Sequence, residues 1–214
     1  KQLRELARNY GPIDMWFLDG PEKGLKEVVW EEQPDTLVTR GAMITPEQYI
    51  PGVPLDEAWE ACLTMGTQWQ YKPTNEEYKS GQTLIDTLIE TRAKGGNLLL
   101  NIGPKPDGEI PIEQESRLRE VALWMFINGE SIYGVRPWTI TNEGNIWFTH
   151  NRRDNILYAH VTKPDWKLGD RKEFTLKSVR ATPATRIEVL GQNDKVVEYR
   201  PDIDPKTQWT QTPG

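Results

Sequence analysis

The sequence predicts an α/β region followed by an all-β region, and two patterns carry that reading. Over residues 1–138, short apolar runs alternate with helical periodicity, as expected of a parallel sheet covered by helices. From Thr139 onward, short strand-like segments separated by turn residues take over, which predicts an antiparallel β-domain of the sandwich type over 139–214. The break falls near Pro137-Trp138.

Taken in order, Gln2 to Tyr10 reads as a helix with Leu3, Leu6 and Ala7 on one face. Ile13 to Leu18 is a short apolar run after Gly11-Pro12 and reads as a buried strand. Glu22 to Gln33 is a second helix opened by Pro21, and Thr36 to Thr39 a second strand. Gly41 to Lys79 shows no clear regular element and is far longer than the usual connection of about 4–6 residues, which predicts a functional loop. Ser80 to Lys94 is strongly periodic, with Leu84, Ile85, Leu88 and Ile89 on one face, and Gly95-Gly96 stops it. Asn97 to Ile102 is a third buried strand and Glu113 to Asn128 an amphipathic helix. In the second region Asn145 to Thr149, Ile156 to Thr162, Arg171 to Ser178, Thr185 to Gly191 and Val196 to Tyr199 read as strands. Three parallel strands cannot close a barrel. A (β/α)₈ barrel takes about 250 residues, so only its second half fits here. An open doubly wound sheet is the alternative, although no Gly-rich phosphate loop follows any strand.

Composition narrows the function. The 214 residues are 36% hydrophobic and 27% charged, ordinary globular values, and no stretch approaches the roughly 20 apolar residues of a membrane helix. The formal charge is −6, with 32 acidic and 26 basic residues and no basic block, which argues against a nucleic-acid partner. Cys62 is the single cysteine, so no intramolecular disulfide is possible. Nine Trp and seven Tyr against four Phe suit part-apolar, part-wet surfaces such as sugar clefts, with core packing the alternative for each ring. The chain begins inside an amphipathic helical pattern, Lys1 to Leu6, without an initiator Met, and reads as a fragment.

The residues able to do chemistry cluster in the first region. Asp19 ends the apolar strand Ile13–Leu18, and in parallel α/β sheets the C-terminal strand ends face the active site; a cap on the following helix is the competing role. Arg40 ends the next strand, where a cation can steady a carboxylate or a sugar hydroxyl, or lie solvated on the surface. The long loop supplies Glu47 and Glu60, either of which can partner Asp19. Retaining hydrolysis of a glycosidic bond needs two carboxyl groups about 5–5.5 Å apart. Trp69, in Thr67-Gln68-Trp69-Gln70-Tyr71, is placed to pack on a sugar face or in the core. His150 and His160 lie in the β-domain without ligands at metal-binding spacing, and no Ser-His-Asp arrangement is present.

These residues sit in segments that resemble a known family. Trp59 to Pro73, reading WEACLTMGTQWQYKP, and Lys94 to Pro104, reading KGGNLLLNIGP, resemble motifs of glycoside hydrolase family 29, the α-L-fucosidases. Asp107-Gly108-Glu109-Ile110-Pro111 and Asn128 to Gly134 follow in the family's order, so the resemblance runs over about residues 1–138. It implies the second half of a (β/α)₈-like barrel followed by a β-sandwich. It also implies retaining removal of terminal α-L-fucose from glycans without metal or cofactor, and a secreted, periplasmic or lysosomal setting. Asp19 matches the family nucleophile. Glu47 matches the acid/base, with Glu60 the rival candidate, and Arg40, Phe17 and Trp69 match positions that line the fucose pocket. Phe17 stands where the family usually has Trp, with Trp16 just before it, and the family's sugar-binding histidines lie in the first half of the barrel. A non-catalytic fucose-binding protein on the same scaffold is the alternative function.

Overall fold

The computed structural model describes residues 1–20, 23–167, 170–192 and 207–211. Helix α1 (Gln2–Asn9) leads to strand β1 (Met15–Phe17), helix α2 (Leu25–Glu32) and strand β2 (Leu37–Thr39). Strands β1 and β2 pair in parallel, Trp16 opposite Val38, so the unit is β-α-β. Ala7, Trp16, Leu18, Val29 and Val38 form its buried core, with Leu3 packed against them and Leu6 exposed outside it. Arg4 and Arg8 of α1 reach Glu32 of α2, Arg8 Nε lying 2.7 Å from Oε2. Hydrogen bonds from Arg8 and Arg4 hold the Glu32 carboxyl down at about 2. Gln33 joins the pieces, accepting from Ile13 N–H at 2.8 Å and donating to the carbonyls of Ala7 and Gly11.

Strand β1 is not buried on both faces as the apolar run predicts. Trp16 and Leu18 are buried, whereas Met15 and Phe17 are 48% and 39% exposed. The helices cover only one side of the sheet, and period-two alternation sends every second side chain to the other.

The long stretch 41–79 is also more regular than expected. Strand β3 (Glu60–Thr64), buried throughout, lies inside it and pairs in parallel with β4 (Asn97–Asn101). Glu60, Cys62 and Thr64 alternate with Ala61 and Leu63, the pattern of a strand with one wet face, yet all five residues are buried. Residues 44–48 run beside β3: Glu60 N–H donates to Ile44 O at 3.0 Å and Cys62 N–H to Pro46 O at 2.9 Å. Helix α3 (Gly81–Ala93) connects β3 to β4, its N-cap Ser80 accepting from Thr83 N–H at 3.1 Å. At its end Gly95 adopts φ +87°, and Gly96 lies so close to the buried Trp59 ring that a Cβ would overlap the indole.

Helix α4 (Ile112–Asn128) and a 3₁₀ turn (Gly129–Ser131) lead into one antiparallel sheet, β5 (Arg136–Glu143), β6 (Ile146–Asn151) and β7 (Ile156–Val161). This sheet packs on α3 and α4: Ile85, Ile89 and Ile132 form the shared core, with Leu88, Trp124 and Trp147 against it. The expected strands at Arg171–Ser178 and Thr185–Gly191 are not formed. The Lys177 and Ser178 N–H groups bond the Glu143 carboxylate instead, at 2.8 Å each, which satisfies them without a neighbouring strand. The expected strand Val196–Tyr199 lies outside the described residues. Among the described residues no helix is long and apolar enough to cross a membrane.

Candidate active site

The C-terminal ends of the parallel strands open onto one cleft of about 620 Å³. Phe17 and Asp19 reach it from the end of β1, Arg40 from the end of β2, Glu47 from the segment beside β3, and Trp69 from the loop after β3. Five of the six residues singled out in the sequence therefore meet at one place. Asp19 does not cap α2, whose N-cap is Gly24. Its side chain is 73% exposed and faces Arg40, with Oδ1 3.4 Å from Nη1.

Arg40 organises the site. The same Nη1 that faces Asp19 also ion-pairs with Glu47, and the guanidinium lies 5.7 Å from the Phe17 ring centroid, a cation–π arrangement. The backbone turns sharply to place it, with Arg40 at φ +44° and Gly41 at φ +113°. A non-glycine residue in that region costs on the order of 1 kcal/mol and persists where its surroundings hold it. Here Thr45 Oγ1 accepts the Arg40 N–H at 3.0 Å.

Glu47 is pinned from both sides. It bridges to Cys62 of β3, and Gln48 N–H donates to Cys62 O at 3.0 Å while the Gln48 amide donates to Thr64 Oγ1 at 3.1 Å. Cys62 lines the floor of the cleft, and burial followed by the nearby carboxylates of Glu47 and Glu60 raises its thiol above the usual range.

Glu60 is not brought to the cleft. It lies two residues before Cys62 on β3, about 6–7 Å further from the strand's C-terminal end, and is 6% exposed. Burial raises its carboxyl above the usual range, and its Oε1 has no hydrogen-bond partner among the described residues.

The sequence motifs do not single out Asn101 and its neighbours at the end of β4, which also line the cleft. Asn101 is a polar residue at a strand's C-terminal end, so the rule that selects Asp19 selects it too. Its amide donates to Trp69 O at 2.6 Å. Among the described residues no group of three His, Cys, Asp or Glu is arranged to hold a metal ion. His160 is buried in the sheet and His150 bonds Asn155 in a turn.

Comparison with known proteins places this architecture. Residues 1–130 match the family model described as Alpha-L-fucosidase. The chain is 42% identical over 230 residues to the alpha-L-fucosidase of Dictyostelium discoideum, covering 95% of this chain and 49% of that protein. It is 32% identical over 220 residues to the plasma alpha-L-fucosidase of Rattus norvegicus, covering 89% of this chain and 47% of that one. Among solved structures, alpha-L-fucosidase isoenzyme 1 from Paenibacillus thiaminolyticus superposes with a TM-score of 0.69 at 32% identity, over 75% of this chain and 45% of that chain. The chain thus spans about half the length of the relatives it matches. Matched along more than half its sequence and superposed on a solved member, this chain belongs to the alpha-L-fucosidase family.

Proposed function

We propose that the whole protein is a retaining exo-glycosidase that removes terminal α-L-fucose from glycans by double displacement. The observation that carries this is the sharing of one Arg40 nitrogen by Asp19 and Glu47 at the cleft wall. Two carboxylates that reach one nitrogen fit the close spacing of about 5–5.5 Å used for retention, rather than the about 6.5–9.5 Å of inverting pairs. In this reading residues 1–138 are the second half of a (β/α)₈ barrel and 139–214 a β-sandwich. The rest of the sugar pocket belongs to the other half of the barrel.

The steps follow from the placement. An Asp19 oxygen attacks the anomeric carbon of fucose while the bond from that carbon to the aglycone oxygen breaks. Glu47 transfers its proton to the departing oxygen. In the second half, Glu47 takes a proton from water, the water oxygen bonds to the anomeric carbon, and Asp19 leaves as the carboxylate. Asp19 loses its charge on forming the ester just as Glu47 gains one. Arg40, touching both, faces a carboxylate anion at each stage and need not move. Glu60, buried and away from the cleft, is not assigned a chemical step. No observation favours the binding-only alternative, since both carboxylates stand at the cleft.

Labelling tests the proposal. Incubating the whole protein with a 2-deoxy-2-fluoro-fucosyl donor should trap a fucosyl ester, and peptide mass spectrometry should find it on Asp19. A label on another residue, or release of the inverted anomer on turnover, refutes it.

A further inference from the structure

Trp69 reaches the cleft on a loop, and the contacts that place it there come from outside that loop. The segment from Met65 to Lys79 closes on itself at its base, Lys79 N–H donating to Met65 O at 2.9 Å. Within it the Glu76 carboxylate accepts from Thr67 N–H at 2.6 Å, a bond that lowers the Glu76 carboxyl. The stretch that carries Trp69 is held from β4. Asn101 donates to Trp69 O, and Gly103 packs so tightly on Gln70-Tyr71 that a Cβ there would lie 2.7 Å from the Tyr71 nitrogen.

What holds the end of β4 is Gln114. Strand β3 ends opposite Asn101, so the chain beyond has no ladder partner on that side. Gln114, in the first turn of α4 and 3% exposed, replaces it: its Oε1 accepts from Gly103 N–H at 3.0 Å, and its Nε2 donates to Gly103 O at 3.2 Å. One amide thus pairs both backbone groups of Gly103, as a neighbouring strand would. The same Nε2 lies 3.2 Å from the Tyr78 hydroxyl, at the far end of the Trp69 loop. Gln114 itself does not line the cleft.

We propose that Gln114 is a positioning residue for substrate binding. By fixing Gly103 it sets Asn101 and the 67–71 stretch, and through them the place of Trp69 on the cleft wall. This rests on the cleft being the fucoside site. Trp69 offers a ring and no titrating group, so misplacing it weakens binding and leaves proton transfer and nucleophilic attack intact.

The test compares Gln114→Met, which removes all three bonds at similar size, with Gln114→Glu, which keeps the acceptor for Gly103 N–H. Tyr78→Phe, which removes only the hydroxyl, is the control. Hydrogen–deuterium exchange of peptides covering 66–71 should quicken about ten-fold in Gln114→Met, less in Gln114→Glu, and not in Tyr78→Phe, with α3 and β6 unchanged. In the whole protein, KM for an aryl α-L-fucoside should rise about 5–10-fold in Gln114→Met with kcat within about two-fold. Trp69→Ala should raise KM similarly, and adding Gln114→Met to it should change little further. Unchanged exchange over 66–71 overturns the clamp, and so does a kcat that falls in step with kcat/KM. If Gln114→Met does not fold, a Gln114→Glu variant with wild-type KM and wild-type exchange overturns it equally. A wild-type protein inert on fucosides overturns the cleft assignment and the substrate role with it, a result separable from the exchange measurement.

Discussion

Acid sensitivity provides a sharp test of how the β-sheet packs on the helices. His160 on β7 is 7% exposed, lies opposite Trp147, and has its ring centroid 6.5 Å from that of Trp124 on α4. Thr149 Oγ1 donates to Ser131 O at 2.7 Å and is left to accept from His160 Nε2–H at 2.9 Å, which places a proton on Nε2. Burial lowers its pKa from 6.5 to about 4, with the Ser131 carbonyl opposing part of the shift. The sign follows from proton counting. Above pH 6.5 the ring is neutral folded or unfolded, and its contribution to stability is complete. Between 6.5 and 4 only the unfolded chain takes the proton, so stability falls with pH. At about 1.36 kcal/mol per unit the loss is about 2 kcal/mol at pH 5 and about 3 kcal/mol below pH 4. Urea melts of wild type and His160→Gln at pH 7.5, 6.5, 5.5 and 4.5 isolate this from the other titrating groups, because Gln can still donate to Thr149 and does not titrate. The wild type should lose the larger amount. Equal slopes for the two proteins, or an NMR midpoint for His160 near 6.5, would refute the buried neutral ring.

Glu47→Ala in the whole protein should lower kcat at least about 100-fold on substrates with poor leaving groups, and far less on activated aryl fucosides. A loss of that size on Glu60→Ala with Glu47→Ala unaffected would reverse the assignment. Gly96→Ala should destabilise the chain by about 1–3 kcal/mol in urea melts, because its Cβ meets the fully buried Trp59 ring, which has no room to yield; a wild-type midpoint would show that Trp59 is loosely packed.

Much of the candidate site is legible in the sequence. Asp19, Arg40 and Asn101 all follow from one rule, a polar residue at the C-terminal end of a parallel strand. Glu47 was harder. It lies on a segment broken by Pro46 and bent at Gln48 (φ +61°), where no periodicity marks it as a neighbour of β3. Strand β3 carries the period-two alternation of a half-buried strand, and only its neighbours in space bury Glu60 and Thr64 as well.

Local chemistry alone determined helices α1, α3 and α4, the ends of β1, β2 and β4 and the turn glycines, because periodicity, caps and positive-φ positions are properties of adjacent residues. It also determined which residue types were on hand for glycoside chemistry. Tertiary structure separates Glu47 from Glu60 in position, since two glutamates of equal chemistry differ in which reaches Arg40 and which is buried below Cys62. Tertiary structure likewise decided that Phe17 faces the cleft while Trp16 packs under the helices, and that Arg171–Ser178 forms no strand. Each of these depends on what lies across space from a residue, and a linear chain does not carry that information locally.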